Sequence, residues 1–188
     1  LISTSIVFCY YISPPSFKFL PNSLNLFENC FLVIKLSLKN FFKSFPDERG
    51  FLNPFDLNLL LETIKIPDFN LRYQLISSNE EKNVFRGFHY QKKPYEQTKI
   101  LIVHKGSIKD IMFPLDQPKQ SSIIEYDLEA GDVIVIPNNF AHGFYTKSRN
   151  VLLQYLMDQK FSPEHYSGFS PLEYINNHPF DSEPIISI

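Results

Sequence analysis

The sequence has no tryptophan, two cysteines and six glycines. No apolar run in it approaches the ~20 residues of a membrane-spanning helix. Two thiols, Cys9 and Cys30, are too few for a disulfide scaffold or a four-thiolate zinc site. Neither sign of charge predominates: 18 Lys and Arg against 20 Asp and Glu leave a formal net charge of −2. The chain as a whole therefore lacks the electrostatic drive toward nucleic acid or an anionic membrane, and neither is expected as a partner. With 44% hydrophobic and 20% charged residues, the composition is globular and not disordered. The 188 residues suit one domain, which buries about two thirds of its unfolded surface without a metal or disulfide staple.

The first 25 residues differ from the rest. They start with Leu1, carry no charge before Lys18, and contain an apolar stretch from Ile6 to Ile12 with no basic residue ahead of it. A secretory signal needs that basic residue. Residues 1–25 are therefore read as an arm or as sequence upstream of the true start, and 26–188 as a single domain. Asn53-Pro54 predicts a helix start, with Asn as cap and Pro at the first helical position. Leu57, Leu60, Leu61 and Ile64 recur at helical spacing, and Pro67 ends the run.

From Leu71 onward the pattern is strand after strand. Lys99–Val103 and Ile108–Phe113 flank a Lys105-Gly106 turn. Ile124, Tyr126 and Leu128 alternate with Glu125 and Asp127, the period-two mark of a half-buried strand. Val133–Ile136 is apolar on both faces, which predicts a central strand closed by Pro137. Asn150–Leu156 is another strand. Short strands with turn signals between them predict a sandwich or barrel.

Polar and titratable residues gather in three of these apolar segments. The first is Arg86-Gly-Phe-His-Tyr-Gln91, followed by Gln97-Thr-Lys99. Strict alternation from Arg86 would put His89 and Gln91 on one face and Arg86 on the other. The second runs from Gly131 through Pro137 to His142-Gly143. The third is Tyr155–Phe161 with the Ser162-Pro163-Glu164 turn. The Gly–Pro–His spacing of the second segment resembles the second cupin motif, and the first resembles the first cupin motif with Gln91 where a metal-binding His usually stands. His89 and His142, with Glu96 as a third candidate, make a poor divalent-ion site, so no metal and no other cofactor is expected.

Five motifs in order carry a more specific resemblance. Phe45-Pro-Asp-Glu-Arg-Gly-Phe51, Arg86-Gly-Phe-His-Tyr-Gln91, Gln97-Thr-Lys99, Pro137–Phe144, and Gln74 twelve residues before Arg86 with Ser78 nearby resemble the dTDP-4-dehydrorhamnose 3,5-epimerase family of cupin sugar-nucleotide epimerases. The resemblance covers roughly residues 40 to 180. It implies a mainly β fold, a cupin-type double-stranded β-helix (jelly-roll barrel) with short flanking helices. It also implies a cytoplasmic homodimer acting without metal on a nucleotide-linked 4-keto-6-deoxy sugar, within deoxysugar and polysaccharide biosynthesis.

By that resemblance His89 is the base, Lys99 the partner of the enolate oxygen, Tyr155 the proton donor and Glu173 the carboxylate orienting His89. Arg49, reaching across the dimer, and Arg86 hold the diphosphate. Gln74, Gln91, Asp110, His142 and Phe51 complete the substrate-binding set. The chain departs from the family pattern at Asn53, at Pro114-Leu-Asp116, at Phe161 in place of a tyrosine, and at Glu173 in place of an aspartate. These departures bear on the second epimerisation and keep other readings open: a mono-epimerase, a keto-sugar isomerase using the same base, or a non-catalytic cupin that binds a sugar nucleotide. A metal-dependent cupin oxygenase is a distant further reading. His104, His165 and His178 carry no motif and are read as surface or structural.

Overall fold

A computed structural model describes residues 34–37, 45–66, 68–116, 122–180 and 182–187. The arm, both cysteines and Pro67 lie outside the described residues. Thirteen strands and two short helices are described, and most of the chain's order is β. The strands form two sheets facing one another. The first sheet runs β1 (Ile34–Ser37), β9 (Asp132–Ile136), β6 (Lys99–Lys105), β11 (Val151–Met157), β4 (Tyr73–Asn79). The second runs β12 (Tyr166–Gly168), β5 (Val84–Gln91), β10 (Phe140–Thr146), β7 (Ser107–Pro114), β8 (Ile124–Glu129), with β13 (Ile185–Ser187) also on β5. A separate hairpin pairs β2 (Phe45–Asp47) with β3 (Gly50–Leu52).

The mainly β expectation holds, with one correction: among the described residues the two sheets do not close into a hydrogen-bonded barrel. They are joined by side chains. Leu101, Val103 and Leu153 of the first sheet meet Ile108, Met112, Phe140 and Phe144 of the second, all buried. Burial of this kind is the main driving force for such a sandwich. β9 is buried at every position because it lies between β1 and β6 and is covered on its outer face as well.

That cover is helix α1 (Leu57–Ile64), which packs Leu60 and Ile64 on Ile100, Ile102, Val133 and Val135. Its apolar spacing is as the sequence predicts, but its cap is not Asn53. The Asp56 side chain accepts from the Leu59 N–H at 3.0 Å, and Lys65, in a left-handed conformation, ends the helix. Helix α2 (Leu172–Asn177) covers the outer face of the second sheet, with Tyr174 against Phe85 and Phe88.

One irregularity shapes the site. Between the pairs His142↔His89 and Phe144↔Arg86, β10 spends two residues where β5 spends three. Gly87, at φ +136°, absorbs the extra residue. The strands approach so closely that a Cβ at Gly87 would lie 2.4 Å from Gly143 Cα. Gly87→Ala is expected to destabilise the fold by about 3 kcal/mol or more, from backbone strain plus overpacking. A denaturant midpoint within error of the unmodified chain would contradict this.

Candidate active site

A cavity of about 690 Å³ opens between the two sheets and is continuous with the core, since Phe144, Tyr155 and Met157 belong to both. That volume is in the range of small-molecule sites. The second sheet lines it with Arg86, His89, Gln91, His142 and Tyr166, and the first with Ser78, Lys99 and Tyr155. The alternation explains the first sheet: Lys99 shares the inner face of β6 with Leu101 and Val103, and Tyr155 that of β11 with Leu153 and Met157. On β5 the bulge overrides alternation. Arg86 and His89 both reach the cavity, against the expectation that they point to opposite faces.

His89 is half-buried and its backbone carbonyl accepts from Lys99 Nζ at 3.4 Å. Among the described residues its ring makes no hydrogen bond. Burial, and then Lys99, His142 and Arg86, lower its pKa from an ordinary 6.5 to about 4. The imidazole is therefore neutral and free to accept a proton near pH 7. Lys99 is lowered from 10.5 to about 8 by burial, partly offset by the Asp110 carboxylate. It still carries its charge at pH 7. The buried Tyr155 phenol is pushed well above its ordinary range by burial and then by Asp110, with Arg86 opposing, so it stays protonated. Its ring meets that of His142 edge-on at 6.1 Å.

Behind this surface, buried Asp110 and His142 are joined at 2.6 Å between Oδ1 and Nε2. Asp110 Oδ2 is buried with no hydrogen bond among the described residues. Arg86 is steered by Asn79, whose Oδ1 accepts from its Nε at 2.7 Å. The charged head thus comes from one sheet and its anchor from the other. Among the described residues no group of three or more His, Cys, Asp or Glu is arranged to hold a metal ion.

Four of the residues singled out in the sequence stand elsewhere. Glu173 is exposed on α2, and α2 packs on the side of the second sheet that carries Phe85 and Phe88, opposite to His89. Its assignment as the carboxylate on His89 is corrected accordingly: the sheet itself intervenes. Gln74 lies on the outer face of β4, where its Oε1 accepts from Gln154 Nε2 at 3.2 Å, and Gln154 in turn pairs with His104. Arg49 and Phe51 sit on the β2–β3 hairpin. Arg49 is exposed and held by Asp47, and Phe51 is 68% exposed.

Gln91 does line the cavity, but its amide is occupied. It donates to the carbonyls of Tyr95 (2.6 Å) and Lys160 (3.1 Å) and accepts from the Ser162 N–H (2.6 Å). Tyr166 on the cavity wall and Asn79, which anchors Arg86 from behind it, were not singled out from the sequence. Asn79 had a signal in its place on a strand facing Arg86. Tyr166 had none, because β12 is three residues long.

The dTDP-4-dehydrorhamnose 3,5-epimerase family model matches residues 36–187. The dTDP-4-dehydrorhamnose 3,5-epimerase of Methanothermobacter thermautotrophicus is 29% identical over 133 residues, which is 66% of this chain and 68% of that protein. The enzyme of the same name from Sinorhizobium fredii is 28% identical over 102 residues. That alignment takes in 50% of this chain and spans about half, 52%, of the relative's length. Among solved structures, the Bacillus anthracis dTDP-4-dehydrorhamnose 3,5-epimerase, crystallised with TDP and PPi bound, superposes with a TM-score of 0.67 at 28% identity, over 82% of this chain and 89% of that one. Sequence motifs, paired sheets and the cavity between them converge with these likenesses: the chain belongs to the dTDP-4-dehydrorhamnose 3,5-epimerase family.

Proposed function

We propose that this chain epimerises a nucleotide-linked 4-keto-6-deoxy sugar at carbons beside the C4 ketone, with His89 as base and Tyr155 as acid. The observation that carries this is placement: His89 belongs to one sheet, Tyr155 to the facing sheet, and the cavity lies between them. Inversion requires a proton removed from one face of the carbon and returned to the other. His89 takes the proton from C3 or C5, and the C–H electron pair moves into the C4 carbonyl as an enolate. Lys99, still an ammonium at pH 7, stabilises the enolate oxygen. The enolate collapses, the carbon takes its proton from Tyr155 on the opposite face, and solvent restores both side chains. The ketone itself is the electron sink, so these steps call on no cofactor.

Arg86 suits the diphosphate, a guanidinium fork aimed into the cavity by Asn79. His142, Asp110 and Gln91 shape the pocket around the sugar. Arg49 and Phe51 act in a homodimer, where the hairpin reaches a second copy's cavity. Exposed Phe45, Phe51 and Leu52 on that hairpin, and exposed Tyr73, Leu75 and Ile76 on edge strand β4, support the pairing. Sedimentation at micromolar concentration is expected to show a dimer, and a monomer would count against it. Among the described residues no helix is long and apolar enough to cross a membrane, which fits the cytoplasmic setting proposed here.

The test is incubation with dTDP-4-keto-6-deoxyglucose and identification of the product by NMR. An inverted centre at C3, C5 or both is expected. A carbonyl moved from C4 would show an isomerase, and dTDP binding without turnover a binding protein. Tyr155→Phe should lower product formation about 10²-fold or more, the usual contribution of a positioned acid. It should still wash solvent deuterium into recovered substrate.

A further inference from the structure

The catalytic imidazole proposed above has no carboxylate partner among the described residues, yet general-base catalysis needs it held in one orientation. The structure offers a different hold. The Tyr166 ring lies on the His89 ring, with centroids 5.2 Å apart and planes 24° from parallel. Phe161 meets the same tyrosine edge-on at 5.5 Å. The backbone on both sides of Phe161 is fixed by buried Gln91, which bonds the Lys160 carbonyl and the Ser162 N–H.

The strand register makes room for this. Gly168 pairs opposite His89, and Tyr166 pairs opposite Gln91. A Cβ at Gly168 would sit 2.5 Å from the Phe88 carbonyl oxygen and 3.3 Å from His89 Nδ1. The position facing the imidazole therefore carries no side chain, and the neighbour two residues away leans across to cover the ring. Such diagonal pairs are within reach of aromatic side chains.

We infer that Tyr166, backed by Phe161, is a positioning residue for His89, holding the imidazole by ring stacking. The terminal torsion of a histidine is broad and roughly two-fold. A flat ring against one face narrows it without occupying either nitrogen. Among the described residues both nitrogens then stay open, one to receive the substrate proton and the other to exchange it. Tyr166 acts through its ring face and not its hydroxyl, and it acts through His89 without touching the reacting carbon.

This inference rests on the epimerase reading, and its test has one arm that does not. In histidine-labelled protein, the His89 Cε1–H NMR signal, assigned by its loss in His89→Ala, is expected to be displaced by the Tyr166 ring current. Tyr166→Ala should return it toward the position of a free imidazole, while Tyr166→Phe should keep it. With turnover of the keto sugar as the second readout, Tyr166→Ala should lower kcat about tenfold with KM within about twofold, and Tyr166→Phe should restore kcat. An unmoved His89 signal in Tyr166→Ala overturns the inference whether or not the protein turns over. So does a kcat loss in Tyr166→Phe equal to that in Tyr166→Ala, which would make the hydroxyl the acting group. An unmodified chain without turnover sinks the epimerase reading alone, and the NMR arm still decides the stack.

Discussion

His89→Asn is expected to lower turnover of a 4-keto-6-deoxy sugar nucleotide by about 10²–10⁴-fold, the range a positioned general base contributes. The amide is close in size to the imidazole but is no base at neutral pH. The fold should be unaffected: His89 is only half-buried and its ring makes no hydrogen bond among the described residues. The core between the sheets is built from other side chains. Circular dichroism and the affinity for dTDP should therefore match those of the unmodified chain, because the diphosphate is assigned to Arg86. Full activity in His89→Asn would remove this imidazole from the mechanism, and lost dTDP binding would make it a ligand instead of a base.

Lys99→Ala is expected to cost about 10²–10³ in kcat, roughly 3–4 kcal/mol of transition-state stabilisation, the measured scale for losing one oxyanion partner. The same lysine sets a pH signature. Its ammonium persists below a pKa of about 8 and is lost as pH rises through that value. His89 is a competent base above its pKa of about 4 and is protonated below it. In the free protein kcat/KM should therefore be high between about pH 4 and 8 and fall on both sides. Lys99→Ala should abolish the alkaline fall and leave the acidic one. An alkaline limb that survives in Lys99→Ala would assign it to another group.

Much of this site could be read before the fold was known, because its residues sit on regular strands inside contiguous motifs. Lys99 and Tyr155 are assigned by the family resemblance, and alternation with the apolar residues around them puts both on the inner face. His142 follows from its spacing to Pro137. Legibility ends where alternation ends. Arg86 joins His89 on the inner face only because β5 carries an extra residue at Gly87, and a bulge of this kind leaves only a glycine as its trace.

Glu173 illustrates a second limit. A carboxylate at a plausible distance along the chain lies behind the sheet because Tyr174 packs on Phe85 and Phe88, and the packing face of a six-residue helix is a tertiary matter. Asn53 and Asp56 show the same at smaller scale: both are good caps, and the one that aligns with the Leu60 and Ile64 face is used. Tyr166 was hidden for another reason. Its role depends on register between two strands 75 residues apart along the chain, and nothing local to it reports that register.

The reaction assigned to His89 leaves a mark that can be read atom by atom. With dTDP-4-keto-6-deoxyglucose in deuterium oxide, the unmodified protein should replace hydrogen by deuterium at C3, at C5 or at both, and leave C1 and C2 unlabelled. Protein that binds dTDP yet leaves every C–H beside the ketone unexchanged would contradict an imidazole base in this cavity.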